Sequence, residues 1–160
     1  MADGQRHARA RDARRRTLIH YFDTSFLTPL LLSEATSEAV ERFVGELAPG
    51  RLGVSAWTGT EFSSLLAWEV RMGALSAADA LKIDAQYEML VGASFHLLVP
   101  KADDFSLARQ YLQRFETGLR ADGALHLAIA FNNKVDTILS LDNTFLKAGH
   151  MLGLPVSRGV

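Results

Sequence analysis

The chain has 160 residues, 48% hydrophobic and 22% charged, with a formal net charge of −1, which suits one well-buried domain and leaves little room for two. It has no apolar run near the roughly 18–20 residues that cross a bilayer and no apolar signal core at its start, so a soluble, cytoplasmic protein without membrane contact is expected. The lack of cysteine excludes disulfide frameworks, thiolate metal sites and cysteine nucleophiles, and leaves oxygen and imidazole as the only metal donors.

Residues 1–16 hold six arginines (Arg6, Arg9, Arg11, Arg14, Arg15, Arg16) against Asp3 and Asp12. That is the composition of a disordered extension, and one able to lend cations to a polyanion. Residues 17–160 carry 11 basic and 16 acidic residues, a net of −5. Such a domain is no general nucleic-acid glue.

Thr17 to Phe22 (TLIHYF) reads as a buried strand stopping at Asp23. Val40, Phe43, Val44 and Leu47 follow helical spacing up to Pro49-Gly50, and Leu52 to Ser55 is again extended. Trp57 to Arg71 predicts a helix ending at Gly73, Ser76 opens another with Ala77, Ala80, Leu81 and Ile83, and Phe95 to Val99 predicts a third strand. Asp103 to Phe115 and Asp122 to Asn133 follow as helices, Thr137 to Leu141 as strand, Asp142 to Leu152 as helix, and Pro155-Val156 as a last short strand. Apolar strands alternating with helices imply an α/β domain whose mostly parallel sheet is covered on both faces. In such sheets ligands bind beyond the carboxyl ends of the strands.

Two acids stand at those ends: Asp23 in Phe22-Asp23-Thr24-Ser25 and Asp142 in Ser140-Leu141-Asp142-Asn143. Glu61 lies one turn beyond Trp57 among Trp57, Leu65 and Trp68, an apolar face on which a carboxylate needs a partner. Asp122 opens the helix continuing through Leu125, His126, Ala128 and Ile129. One fold edge can collect all four. Converging carboxylates repel unless a hard cation such as Mg²⁺ or Mn²⁺ sits between them, and such a cation can activate water for attack on a phosphodiester. Each aspartate alone also has an ordinary reading as a helix N-cap, and Glu61 as a solvated helix residue.

At these residues the chain resembles the PIN-domain nucleases, and within them the VapC-like toxins of type II toxin–antitoxin pairs. The resemblance runs from about Tyr21 to the C-terminus through Tyr21-Phe22-Asp23-Thr24-Ser25-Phe26-Leu27, Val54-Ser55 to Thr60-Glu61-Phe62, Leu119-Arg120-Ala121 with Ala124-Leu125-His126-Leu127-Ala128, and Ser140-Leu141-Asp142. It implies a three-layer α/β/α domain over 17–160 with a central, mostly parallel sheet. It further implies a Mg²⁺ or Mn²⁺ site built from Asp23, Glu61 and Asp142 with a further acid near 122, ribonuclease activity, an antitoxin partner and a homodimer. RNA hydrolysis by this route leaves a 5′-phosphate and a 3′-hydroxyl.

One departure stands out: the family pattern places aspartate immediately before Ala-Leu-His, where this chain has Gly123, preceded by Asp122. One residue turns a helix side chain by about 100°, so Asp122 either reaches the metal through a permissive helix start or only caps the helix. The second case makes the chain a weakened PIN-like module that mainly binds its antitoxin. An aspartyl phosphatase with Asp23 as nucleophile fits less well, because the haloacid dehalogenase-like pattern has an acid two residues on, where this chain has Ser25.

Thr24 and Ser25 are expected to orient Asp23, and His126 to be a packed or hydrogen-bonded structural residue outside the catalytic set. Asp103 and Asp104 read as a helix start, and Glu34, Glu38 and Glu41 as a solvated face. The apolar Phe26 to Leu32 stretch (FLTPLLL) is explained in large part by core packing; the resemblance adds that antitoxin segments bind near such helices, where an apolar groove would suit a partner peptide carrying leucine and arginine.

Overall fold

A computed structural model describes residues 18–160; the arginine-rich segment 1–16, expected to be disordered, lies outside the described residues. Five strands, β1 (His20–Phe22), β2 (Leu52–Ser55), β3 (Phe95–Leu98), β4 (Thr137–Leu139) and β5 (Val156–Ser157), are interspersed with helices. The α-helices are α1 (Thr24–Leu27), α2 (Ser37–Glu46), α3 (Ala56–Arg71), α4 (Ala77–Ser94), α5 (Ala102–Leu112), α6 (Ala121–Asn132) and α7 (Asn143–Met151), with 3₁₀ turns at Thr28–Leu30 and Phe115–Thr117.

The strands form one sheet in the order β3-β2-β1-β4-β5, and every pairing in it is parallel. Strand alternation divides the core between two faces. Tyr21 and Ile138 pack with Leu125, Leu127, Ile129 and Phe145. Their neighbours Phe22 and Leu139 point the other way, toward Phe26, Val40, Phe62 and Tyr87. Helices thus cover both faces, and the α/β/α layering follows.

From β1 the chain builds β2 and β3 on one side, then crosses to build β4 and β5 on the other. The topological switch therefore lies between β1 and β4, where Phe22 is registered against Leu139. Asp23 follows β1 and Asp142 lies three residues past β4, so the two carboxylates flank the crevice where open α/β sheets bind ligands.

Several boundaries differ from the sequence expectation. The helix expected over Asp103 to Phe115 stops at Leu112, and Phe115 belongs to a separate 3₁₀ turn that leads into Gly118 at φ 69°. Strands expected to run to Val99 and Leu141 end at Leu98 and Leu139, and the last strand is Val156–Ser157. Asp104 does more than start a helix: its Oδ2 accepts the Lys101 backbone N–H at 2.7 Å and its Oδ1 accepts from Asn132 Nδ2 at 2.7 Å, tying α5 to α6. Glu34, Glu38 and Glu41 are solvent-exposed as expected. Among the described residues, no helix is long and apolar enough to cross a membrane.

Candidate active site

Asp23 ends β1 with extended backbone and caps α1 through Oδ1, which accepts the Phe26 N–H at 3.0 Å. The Ser25 hydroxyl donates to the same oxygen at 2.8 Å, and the Ser140 hydroxyl donates to Oδ2 at 2.6 Å. Asp23 is only 5% exposed. Burial pushes its pKa above the ordinary carboxylate value, while His126 and the donated hydrogen bonds of Ser140, Ser25 and Phe26 pull it back. Burial wins, so the anionic form is held at a cost that a cation would relieve.

Glu61 projects from α3, which starts where β2 ends. Ser55 caps this helix through a reciprocal pair of bonds with Thr58, and that fixes the helix start one turn before Glu61. The partner demanded by its apolar face is present twice over: Oε2 accepts from the Thr24 hydroxyl and hydrogen-bonds His126 Nε2. Thr24, expected to serve Asp23, thus serves Glu61, and Ser25 alone of the two orients Asp23. His126 Nδ1 is 2.7 Å from the Tyr21 hydroxyl, which lies 2.9 Å from Ser55 Oγ. Tyr21 is fully buried, and burial pushes its phenol far above the usual range. It stays a neutral hydrogen-bonding group.

Asp142 caps α7 through Oδ1, which accepts from the N–H groups of Thr144 at 2.7 Å and Phe145 at 3.1 Å. Asp122 does not cap its helix. Arg120 is the N-cap residue of α6, Asp122 stands in the first turn, and its Oδ1 accepts the N–H of Gly123 at 2.9 Å. A Cβ on Gly123 would stand 3.2 Å from Leu119 Cδ2 and 3.3 Å from Phe145 Cδ2, so the glycine lets α6 lie close against these side chains.

Asp23, Glu61, Asp122 and Asp142 all line one cavity of about 320 Å³, together with Thr24, Arg120 and His126. Among the described residues, no group of three or more His, Asp and Glu side chains is arranged to hold a metal ion as it stands. The acids share a cavity, not a closed ligand cage. Their chemistry nevertheless fits a hard divalent cation. Every acidic donor is an oxygen, and Glu61, Asp122 and Asp142 are each fixed through one carboxylate oxygen. Their second oxygens accept no hydrogen bond among the described residues.

Three further side chains contribute to the site with little local signal in the sequence. Ser140 closes an apolar strand with a fully buried hydroxyl, a signal visible in Leu139-Ser140-Leu141, but its partner 117 residues away is not. Tyr21 looked like core and is core, except for its hydroxyl. His126 is packed and hydrogen-bonded, as expected, and the residue its Nε2 meets is Glu61, a candidate ligand.

The PIN domain family profile matches residues 20–151, whereas no curated protein matches the chain in a sequence search. Among solved structures, VapC20 of Mycobacterium tuberculosis, described as a sarcin-ricin loop cleaving toxin, is 19% identical with a TM-score of 0.65, covering 81% of this chain and 94% of its own. FitAcB of Neisseria gonorrhoeae is 16% identical with a TM-score of 0.61, covering 88% and 98%. VapBC-1 of nontypeable Haemophilus influenzae is 15% identical with a TM-score of 0.63, covering 89% and 98%. These likenesses concern the fold, and with the family match over most of its length the chain belongs to the PIN domain family.

Proposed function

We propose that this protein is a metal-dependent endoribonuclease acting as the toxin of a toxin–antitoxin pair. The observation that carries the reading is the convergence of Asp23, Glu61, Asp122 and Asp142 on one cavity at the switch point of a PIN-family sheet. Mg²⁺ or Mn²⁺, when bound there, supplies the charge that activates water and steadies the departing oxygen of a phosphodiester. The chain's part is to hold the ligands: Asp23 through Ser25, Ser140 and Phe26, Glu61 through Thr24 and His126, and Asp142 through the first turn of α7. Arg120 lines the same cavity and offers a cation to the phosphate backbone in a domain that is otherwise net acidic. Hydrolysis releases a 5′-phosphate and a 3′-hydroxyl.

RNA is the substrate class this reading names, and an antitoxin protein the partner. Similarity in fold to VapBC and FitAcB assemblies supports the partner, and a homodimer belongs to the same reading. The test is cleavage of purified total RNA by the isolated chain in Mn²⁺ or Mg²⁺, with EDTA and Asp142→Asn run in parallel. Discrete fragments lost in both controls support the enzyme; no cleavage by folded, antitoxin-free protein sinks it.

A second reading has its own observation. Asp122 lies in the exposed first turn of α6 and Gly123 stands where the family pattern has aspartate. On this reading the chain keeps the fold and antitoxin binding while cleavage is weakened. Cleavage gained on Gly123→Asp would favour it.

A further inference from the structure

We propose that His126 is a positioning residue for Glu61: it grips one carboxylate oxygen so that the other is presented to a cation. The inference rests on the reading of Glu61 as a cation ligand.

Its basis is a buried chain of hydrogen bonds spanning four elements. His126 is 3% exposed in a run of α6 whose other buried members are Ala124, Leu125, Leu127, Ala128, Ile129 and Ala130. An imidazole in such a run is costly unless both ring nitrogens are satisfied, and both are. Nε2 meets Glu61 Oε2, and Nδ1 meets the Tyr21 hydroxyl.

An ionised carboxylate only accepts, so Nε2 carries a proton. Tyr21 in turn has Ser55 as its second partner. The Tyr21 hydroxyl donates to Ser55 Oγ at 2.9 Å, so its oxygen lone pairs face Nδ1. Tyr21 comes from β1, Ser55 from the end of β2, Glu61 from α3 and His126 from α6. The ring is clamped from the sheet side, and its free edge aims at the acid.

The far end is equally constrained. The Thr24 hydroxyl donates to the same Oε2, so two donors hold one oxygen while Oε1 accepts nothing among the described residues. A histidine needed for shape alone requires neither arrangement. A histidine that merely neutralised Glu61 would compete with a cation, and its removal would then strengthen cation binding.

The experiment uses the full chain, free of RNA, and counts bound Mn²⁺ by electron paramagnetic resonance for the parent, His126→Leu, His126→Gln, Tyr21→Phe and the variant carrying both His126→Leu and Tyr21→Phe. Losing a side chain that orients a ligand typically costs 10- to 100-fold in metal affinity. His126→Leu should weaken Mn²⁺ binding by roughly that factor. His126→Gln keeps an N–H at about the reach of Nε2 and should recover most of the loss, and Tyr21→Phe should add little on top of His126→Leu.

Packing alone ranks the variants the other way, leucine above glutamine. Mn²⁺ binding in His126→Leu as tight as in the parent, or tighter, overturns the proposal, and so does glutamine no better than leucine. If His126→Leu does not fold, Tyr21→Phe decides: weakened Mn²⁺ binding supports the proposal and unchanged binding overturns it. A folded parent that binds no Mn²⁺ removes the cation reading itself and the proposal with it, a result distinct from normal binding that ignores His126.

Discussion

The Ser140 hydroxyl donates to Asp23 Oδ2 at 2.6 Å across 117 residues of chain. It also accepts the Asp142 backbone N–H at 3.1 Å and lies 3.2 Å from Ser25 Oγ. One buried serine thus couples the acid after β1 to the acid after β4. Ser140→Ala leaves a buried carboxylate oxygen with no donor, a loss worth about 1–3 kcal/mol. Urea unfolding should show a lower midpoint at unchanged slope; a midpoint equal to that of the parent would mean water replaces the hydroxyl at no cost.

Asp23 carries a pH signature. Its pKa in the fold is raised, chiefly by burial, so the native state holds its proton to higher pH than the unfolded chain does. The sign follows from proton linkage. The contribution of this group to stability is fully present below the unfolded value of about 3.9 and is lost as pH rises through the higher folded value. Asp23→Asn should therefore raise the melting temperature of the metal-free protein at neutral pH, with the gain shrinking toward pH 4. An equal gain at both pH values contradicts the assignment of the effect to ionisation.

Much of this architecture is legible in the chain because strands buried on both faces must be continuously apolar and must stop at polar residues. Phe22-Asp23 and Leu52 to Ser55 show this directly, and Ser76 marks its helix start by accepting the Asp79 N–H at 3.0 Å. Lateral strand order is not written locally. Asp23 and Asp142 could be assigned to one edge, but the adjacency of β1 and β4 that brings Ser140 to Asp23 comes from the crossover topology. Helix periodicity overran at Phe115, which is 87% exposed: an apolar side chain extended the pattern without any core to face. Gly149 was equally silent. A Cβ there would stand 2.3 Å from Val156 Cγ1, so α7 packs on β5 at a distance that only glycine allows.

Asp142 has two tasks that one pair of substitutions separates. Its Oδ1 caps α7, and asparagine caps about as well as aspartate, whereas alanine costs about 1 kcal/mol. Asp142→Asn should therefore melt within a few degrees of the parent while RNA cleavage is lost. Asp142→Ala should lose both stability and cleavage. Cleavage retained by the folded asparagine variant would restrict Asp142 to its structural task.

Gly123→Asp tests how the third acid is supplied. Its Cβ would stand 3.2 and 3.3 Å from Leu119 and Phe145, so these side chains must shift by a few tenths of an ångström to admit it. Because Asp122 already lines the cavity, the added carboxylate should bring no gain in cleavage, while Asp122→Asn should reduce it. The opposite pair of results, cleavage created by Gly123→Asp and indifferent to Asp122→Asn, would show that the one-residue displacement takes Asp122 off the working face and that the chain's main task is binding its partner.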